Sequence, residues 1–458
     1  MPEFPTLEQF RVEAGDGGVV HLIFDAPGRT MNVFSNAAIH ELGRFADWLA
    51  QADVAGVVVS SGKPAFCAGA DLAELGVAYD MIMAAPKVDR ARAAFNHFFP
   101  LSHALRRLET GGKPVAAAIG GLALGGGCEL ALGCHHRVMA DSPQTFLGLP
   151  ESLVGLLPGA GGTQRLPRLI GVAAALPVLL EGKRLSAAEA LALGAVDEIV
   201  LPGEEVAAAT RWVQASAGAR QPWDRPDQHR STPEGARQAV EPTRAAVLKE
   251  TEGHYPAPLA ILDCIEQGLP EQMDDAIRTE MDIFAGLIQR PEPRNMIQTL
   301  FLGKQDYGRL SKSGTLPPKL SDLRADIAGS LHRGVQQARA QGETAVEVAE
   351  ALRLAGFTGK AEAWSSDRPI SKSAPAPRPG RESAGLWFES PVEEPSLKLG
   401  RALLYEAART AGPHLAELSV EDRRVIDYAL VTELGFPAYL GGPLALADYL
   451  GDRVNALA

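Results

Sequence analysis

The sequence predicts an α/β N-terminal domain followed by an α-helical C-terminal region, and three observations carry that expectation. From residue 8 to about 200, short apolar runs such as GVVHLIF, VAGVVVSS, PVAAAIGG and RVMA alternate with glycine-containing turns and helical stretches, the texture of buried strands interleaved with helices. Beyond about residue 203 the chain turns helix-rich and is broken by polar, proline-containing joints. Its 458 residues, 46% hydrophobic and 22% charged, suffice for two or three domains with sizeable cores.

Taken in order, the first long apolar stretches are the strands around residues 18–24 and 54–61. The second leads into AFCAGADLAEL (65–75), a glycine loop that opens a helical pattern. Next comes PVAAAIGGLALGGGCELALGC (114–134), whose only formal charge is Glu129. Its length alone would let a helix cross a bilayer. Six glycines oppose that reading, since each costs roughly 1 kcal/mol relative to alanine inside a helix, and Glu129 would sit near the bilayer centre. A strand running into a glycine turn and then a helix is the better account, so no membrane span is expected. LSAAEALALGAVDEIV (185–200) carries a helix start and stop: Ser186 with Glu189 forms a capping box, and Gly194 suits the left-handed turn after the last residue.

The joints are RQPWDRPDQHRSTPEG (220–235), SKSGTLPPK (311–319) and SSDRPISKSAPAPRPGRESAG (365–385), the last biased enough to be expected flexible or extended. Residues 396–452 again read as packed helices. The division expected is 1–203 for the α/β domain, 204–310 for a helical extension, 311–395 for a helical segment with the Pro/Ser-rich linker, and 396–458 for a helical end region.

A net charge of −12 leaves no overall basic face, so nucleic acid is not an expected partner. Cys67, Cys128, Cys134 and Cys264 show no metal-ligand spacing, which points to reduced thiols in a cytoplasm-like compartment and to no metal. The first residues lack the apolar core of a secretory signal. GAGGTQ (159–164) has Gln164 where a dinucleotide fingerprint needs its last glycine, and no GxxxxGK[ST] occurs, so neither NAD nor ATP is expected.

The glycine turn of 114–134 places backbone N–H groups, unpaired at a helix start, at one point where negative charge is favoured. Gly126 leaves that backbone uncovered by a side chain. The loop 65–75 has the same character, and together the two can supply two N–H donors to one oxygen. FCAGADLAEL and GGLALGGGCELAL, followed by GLPESLVGLLPGAGGTQRLPRLIG (148–171), resemble the crotonase, or enoyl-CoA hydratase and isomerase, superfamily. The resemblance covers roughly residues 8–200 and is closest to the N-terminal part of the α chains of multifunctional fatty-acid oxidation proteins.

That resemblance implies a spiral of ββα turns, homo-oligomeric or domain-paired packing, association with other β-oxidation enzymes, and an acyl-CoA substrate whose thioester oxygen is held by the amides of Ala70 and Gly126. Ala68, Gly69 and Arg29 fall at positions that would meet the substrate or its CoA. Arg29 also reads as a solvated loop arginine. Glu129 and Glu151 match the family's catalytic pair, with Glu129 helping to activate water and Glu151 exchanging the α proton, and Gly159 matches the position whose amide orients that water. Hydration of a conjugated thioester needs a base, an acid and a home for charge on the thioester oxygen, and two carboxyl groups in unlike surroundings can divide the first two roles. An isomerase moving a double bond, or a non-catalytic acyl-CoA-binding subunit, are the alternatives. No redox cofactor or metal is implied.

Asp71 and Glu74 read as stabilisers of a helix start. Thr163, Gln164 and Arg165 read as structural hydrogen-bonding residues, and His135 and His136 as core or surface histidines. NHFFP (96–100) superficially resembles a dehydrogenase histidine motif, but its place among helical spacing makes it packing or acyl-pocket lining. FAGLIQRPEPRNMIQTLFLGKQ (284–305) resembles the linker of those α chains, and VIDYALVTELGFPAYLGGPLALADYLG (425–451) the end of their dehydrogenase part. The nucleotide-binding domain between them is not represented.

Overall fold

A computed structural model describes residues 3–226, 230–359 and 394–453. The joint 365–385 lies outside the described residues. The chain divides into two compact units, one of Met1–Arg244 with Ala257–Gln289, the other of Ala245–Pro256 with Arg290–Ala458. The span 204–310 is thus shared between them.

In the first unit the strands are β1 (Phe10–Ala14), β2 (Val19–Phe24), β3 (Gly56–Ser61), β4 (Val115–Ile119), β5 (Ala123–Leu124), β6 (His136–Ala140), β7 (Phe146–Gly148), β8 (Leu185–Ser186) and β9 (Glu198–Val200). They form a six-stranded sheet in the order β1-β2-β3-β4-β6-β9 and a three-stranded sheet β5-β7-β8. Only β1 runs antiparallel in the large sheet. β3 and β4 are buried almost end to end, which is why VVVSS and VAAAI read as continuous apolar runs without alternation.

The helices of this unit are α1 (Asn36–Gln51), α2 (Leu72–Ala84), α3 (Arg90–Thr110), α4 (Gly126–Gly133), α5 (Gly162–Ile170), α6 (Val172–Leu180), α7 (Ala187–Leu193), α8 (Glu205–Ala215), α9 (Pro233–Thr251), α10 (Pro256–Gly268) and α11 (Met273–Ile288), with the end of α9 and the first residue of α10 passing into the other unit. One pattern repeats: a large-sheet strand, a short pairing in the small sheet, then a helix. β3 leads to the Cys67–Ala123 bridge and α2, β4 to β5 and α4, β6 to β7 and then α5. This is the ββα spiral implied by the resemblance. Small residues let the layers close: Ala208 and Ala209 of α8 pack against Val58, Ala116, Ala118 and Val138. The capping box of α7 forms with both arms, and Gly194 ends the helix at φ 81°.

The second unit is helical: α12 (Pro291–Met296), α13 (Lys304–Ser313), α14 (Leu320–Ala340), α15 (Ala345–Ala355), α16 (Pro395–Ala411), α17 (Val420–Leu434) and α18 (Pro443–Leu450). Its core gathers Leu331, Leu352, Leu404, Leu430, Phe436 and Leu444. The GFP...GGP segment is the turn between α17 and α18. Asp427 of α17 accepts the amides of Leu444 (2.8 Å) and Ala445 (2.9 Å), so it serves as the cap that α18 lacks in its own sequence. A Cβ at Gly442 would stand 2.4 Å from that carboxyl group, so the glycine is a steric requirement. Among the described residues no helix is long and apolar enough to cross a membrane.

Candidate active site

The two glycine loops meet. Phe34 and Ala70 form a parallel bridge in which the Phe34 amide donates to Gly69 O (2.8 Å) and the Asp71 amide to Phe34 O (3.0 Å). Those bonds flank Ala70, so its own N–H faces the opposite side, and the residue is exposed. Gly126 begins α4, where N–H groups have no intrahelical acceptor. A Cβ built on Gly69, whose φ is 101°, would lie 3.6 Å from Gly126 N and 3.1 Å from Leu124 O. Glycine at 69 therefore lets the backbone that leads into Ala70 close on the Gly126 turn. The Ala68 amide is used elsewhere, on Asn32 O at 2.9 Å.

Glu129 lies on the first turn of α4, fully enclosed, and its Oε1 accepts two amides, from Ala160 (2.7 Å) and Gly162 (2.8 Å). Burial pushes its carboxyl above the ordinary range, while those two amides and the Arg165 guanidinium pull it back. Glu151 stands in a short 3-10 turn, Glu151–Val154, and the opposite holds for it. Its Oε2 is inaccessible and has no hydrogen-bond partner. Burial first, then the negative charge of Glu129, hold it well above the usual carboxylate range. Its Oε1 lies over the glycine turn, 2.7 Å from where a Cβ of Gly125 would be, and Gly125 has φ 54°. Two neighbouring carboxyl groups thus have unlike surroundings, one gripped by amides and one left bare.

Gly159, expected to orient water, accepts the Ser102 hydroxyl at its carbonyl (2.9 Å), and the amides on Glu129 are those one and three residues later. Arg29 is half exposed and pairs with Asp71 at 2.6 Å on the rim of the loop. The other Asp71 oxygen caps α2 through the amides of Ala73 and Glu74, whereas Glu74 reaches across to the Asn36 amide at the start of α1. His135 bridges the Val115 amide and Glu109 O, and His136 stacks on Trp212 with ring centroids 4.6 Å apart. NHFFP lies within α3, where Phe98 packs edge-on against Phe284 of α11 at 5.0 Å.

Arg165 is buried and forms a two-pronged ion pair with the equally buried Glu109 (2.6 and 2.9 Å), while its third nitrogen donates to Ala160 O at 2.7 Å. It therefore fixes the Ala160–Gly161 peptide, which lies between the two peptides whose N–H groups hold Glu129. Gly161 makes room for it, since a Cβ there would fall 1.9 Å from the guanidinium. Arg165→Met is expected to destabilise the chain by about 3–5 kcal/mol, because Glu109 would stay buried with only Arg106 beside it. An unfolding midpoint equal to wild type in urea would refute this.

One carboxyl group escaped the sequence reading. Glu280 of α11 accepts the Gly161 amide (2.6 Å), the Thr163 amide (3.1 Å) and the Thr163 hydroxyl. The signal was present: Met273, Ile277, Phe284 and Ile288 mark a buried helical stripe, and Glu280 sits in its middle. An acid on an apolar face needs partners. Among the described residues no three His, Cys, Asp or Glu side chains are grouped to hold a metal ion, and the four cysteines are free and buried.

Residues 15–221 match the enoyl-CoA hydratase/isomerase family. The chain is 37% identical over 335 residues to a fatty acid oxidation complex subunit alpha from Shewanella loihica, covering 71% of this chain and 46% of that one. It is 34% identical over 330 residues to the protein of the same description from Shewanella amazonensis, covering 71% and 45%. The chain thus spans a little under half the length of these curated relatives. Among solved structures, an enoyl-CoA hydratase from Bacillus anthracis aligns over 63% of this chain and 95% of its own, at 26% identity with a TM-score of 0.40.

Proposed function

We propose, from the match of residues 15–221 to the enoyl-CoA hydratase/isomerase family, that this protein is a hydro-lyase that adds water across a 2-trans-enoyl-CoA to give a 3-hydroxyacyl-CoA. The observation that carries the reading is the contrast between Glu129, held by two amides, and Glu151 beside it, one of whose oxygens is enclosed with no partner. The amide-held carboxyl is the one better kept ionised, and the bare one the better kept protonated.

In this mechanism the thioester oxygen accepts the N–H groups of Ala70 and Gly126, which take up the negative charge that develops there. Glu129 removes a proton from water as its oxygen bonds to the β carbon. Glu151 delivers a proton to the α carbon, and the C=C bond becomes a single bond. Neither redox cofactor nor metal enters the steps. Arg29, on the rim with Asp71, is assigned to the CoA end, and Ala68 and Gly69 to the loop the thioester passes. We assign Gly159 to the peptide run that orients the water. The description borne by the Shewanella relatives, a subunit of a fatty acid oxidation complex, supports association with other proteins of fatty-acid oxidation, and we propose with it a cytoplasmic, homo-oligomeric protein.

The test is a panel of 2-trans-enoyl-CoA thioesters of differing length, followed by loss of the conjugated-thioester absorbance. Turnover on any member supports the reading. Binding without turnover across the panel overturns it in favour of an acyl-CoA-binding subunit, and a 3-enoyl-CoA that yields only a conjugated product identifies an isomerase.

A further inference from the structure

We propose that Glu280 of α11 is a positioning residue for the site: by clamping the turn 160–163 from behind, it holds the peptides that grip Glu129. Four successive amides go alternately to two carboxyl groups. Ala160 and Gly162 donate to Glu129 Oε1 at 2.7 and 2.8 Å, Gly161 to Glu280 Oε1 at 2.6 Å, and Thr163 to Glu280 Oε2 at 3.1 Å. The turn cannot relax towards one carboxyl group without loosening its hold on the other. Gly161, at φ 93°, adopts a left-handed conformation that side chains rarely take.

A single acid would suffice to satisfy the start of a helix such as α5. Two enclosed acids on one such turn cost desolvation twice, and the second is explained by what it does to the first. Helix α11 also secures the other end of the loop, since the ring of Phe284, one turn beyond Glu280, lies over Gly159, where an added Cβ would come within 3.1 Å of it. The charged and titratable groups around Glu280 are Glu129 on α4, Glu151, Arg165 and Arg168 on α5 and Cys264 on α10, with the Glu109–Arg106 pair of α3 lying beyond Arg165. Burial, helped by the charge on Glu129, pushes the Glu280 carboxyl up to about 8. Its contribution to the site is argued from the geometry of the turn it holds.

The proposal rests on the hydratase reading only for its kinetic consequence, so the test has two arms, both on the full chain. In the first, the carboxyl carbons of glutamate are labelled with 13C and followed by NMR against pH, with Glu129→Gln identifying the Glu129 signal. Glu280→Gln keeps the shape of a neutral acid but turns N–H towards amides that need an acceptor. The Glu129 midpoint is then expected to rise by about one pH unit as its own amides loosen. Thr163→Val, which removes only the hydroxyl, is expected to move it the same way by less, and Thr163→Ser to restore it. Thr163→Val also keeps the question answerable if Glu280→Gln does not fold. In the second arm, Glu280→Gln is expected to lower kcat on 2-trans-butenoyl-CoA roughly 10- to 100-fold, with KM changed less than about threefold. A Glu129 titration unmoved in both variants overturns the role of Glu280. A titration that moves in the variants, beside a wild-type chain that hydrates nothing, keeps that role and removes the hydratase.

Discussion

Glu151→Gln is expected to lower kcat for hydration by roughly three orders of magnitude, the upper part of the range for losing a positioned acid or base, while leaving the unfolding transition where it was. The two halves of this expectation come from one fact. Oε2 of Glu151 has no protein partner and Oε1 lies over the glycine turn, and glutamine keeps an oxygen that can accept the residue's own amide, so the fold loses no hydrogen bond on substitution. Glu129→Gln is expected to cost as much in kcat, though its carbonyl oxygen can still accept the amides of Ala160 and Gly162. The double variant should be little worse than either single one, since the two acids act in the same step.

The pH profile follows with its sign fixed. Both carboxyl groups are held above the ordinary range, so activity falls on the acid side as Glu129 takes up a proton and on the alkaline side as Glu151 gives one up. The limbs report the pair, not either residue alone. Stopped-flow measurement of the thioester absorbance across pH checks this. Full turnover in Glu151→Gln, or a fold that fails with it, would remove the assignment.

How far the sequence could be read is clear from particular residues. The ββα spiral was legible because β3 and β4 are short apolar runs ended by glycine loops, and α7 because its cap residues are local, Ser186 and Glu189 being three apart. Glu129 and Glu151 were legible because each lies inside a motif. Which amides hold Glu129 was not: in LPGAGG the small residues look alike, and only the register of the turn decides that Ala160 and Gly162 do so. Glu280 was out of reach for another reason. Its partners Gly161 and Thr163 are separated from it by 119 and 117 residues, and local spacing carries no information about such pairings beyond the oddity of an acid on an apolar stripe.

Gly127→Ala is expected to damage both the fold and the chemistry, because the methyl group would be driven between the loops that carry the two N–H donors. Its Cβ would stand 2.5 Å from Cys67 O and 2.6 Å from Cys67 Cβ, and the nearest obstacle is backbone, which cannot swing aside. Cys67 directly precedes Ala68, Gly69 and Ala70, and Gly127 directly follows Gly126, so relief of the clash moves Ala70 away from Gly126. Overpacking of this kind costs about 1–3 kcal/mol of stability. Loss of one oxyanion donor costs roughly 10²–10³ in kcat. The matched control is Gly133→Ala at the far end of the same helix, where the nearest atom, Leu105 Cβ, is 3.7 Å away and the backbone has ordinary dihedrals. That change should leave kcat alone and stabilise the chain by up to about 1 kcal/mol, since glycine is the poorer helix former. Binding of a non-reactive conjugated thioester separates the causes: in wild type and Gly133→Ala its absorbance should shift to longer wavelength as the two N–H groups polarise the carbonyl, and in Gly127→Ala the shift should shrink. If Gly127→Ala retains both the spectral shift and wild-type kcat, the thioester oxygen is not held between these loops.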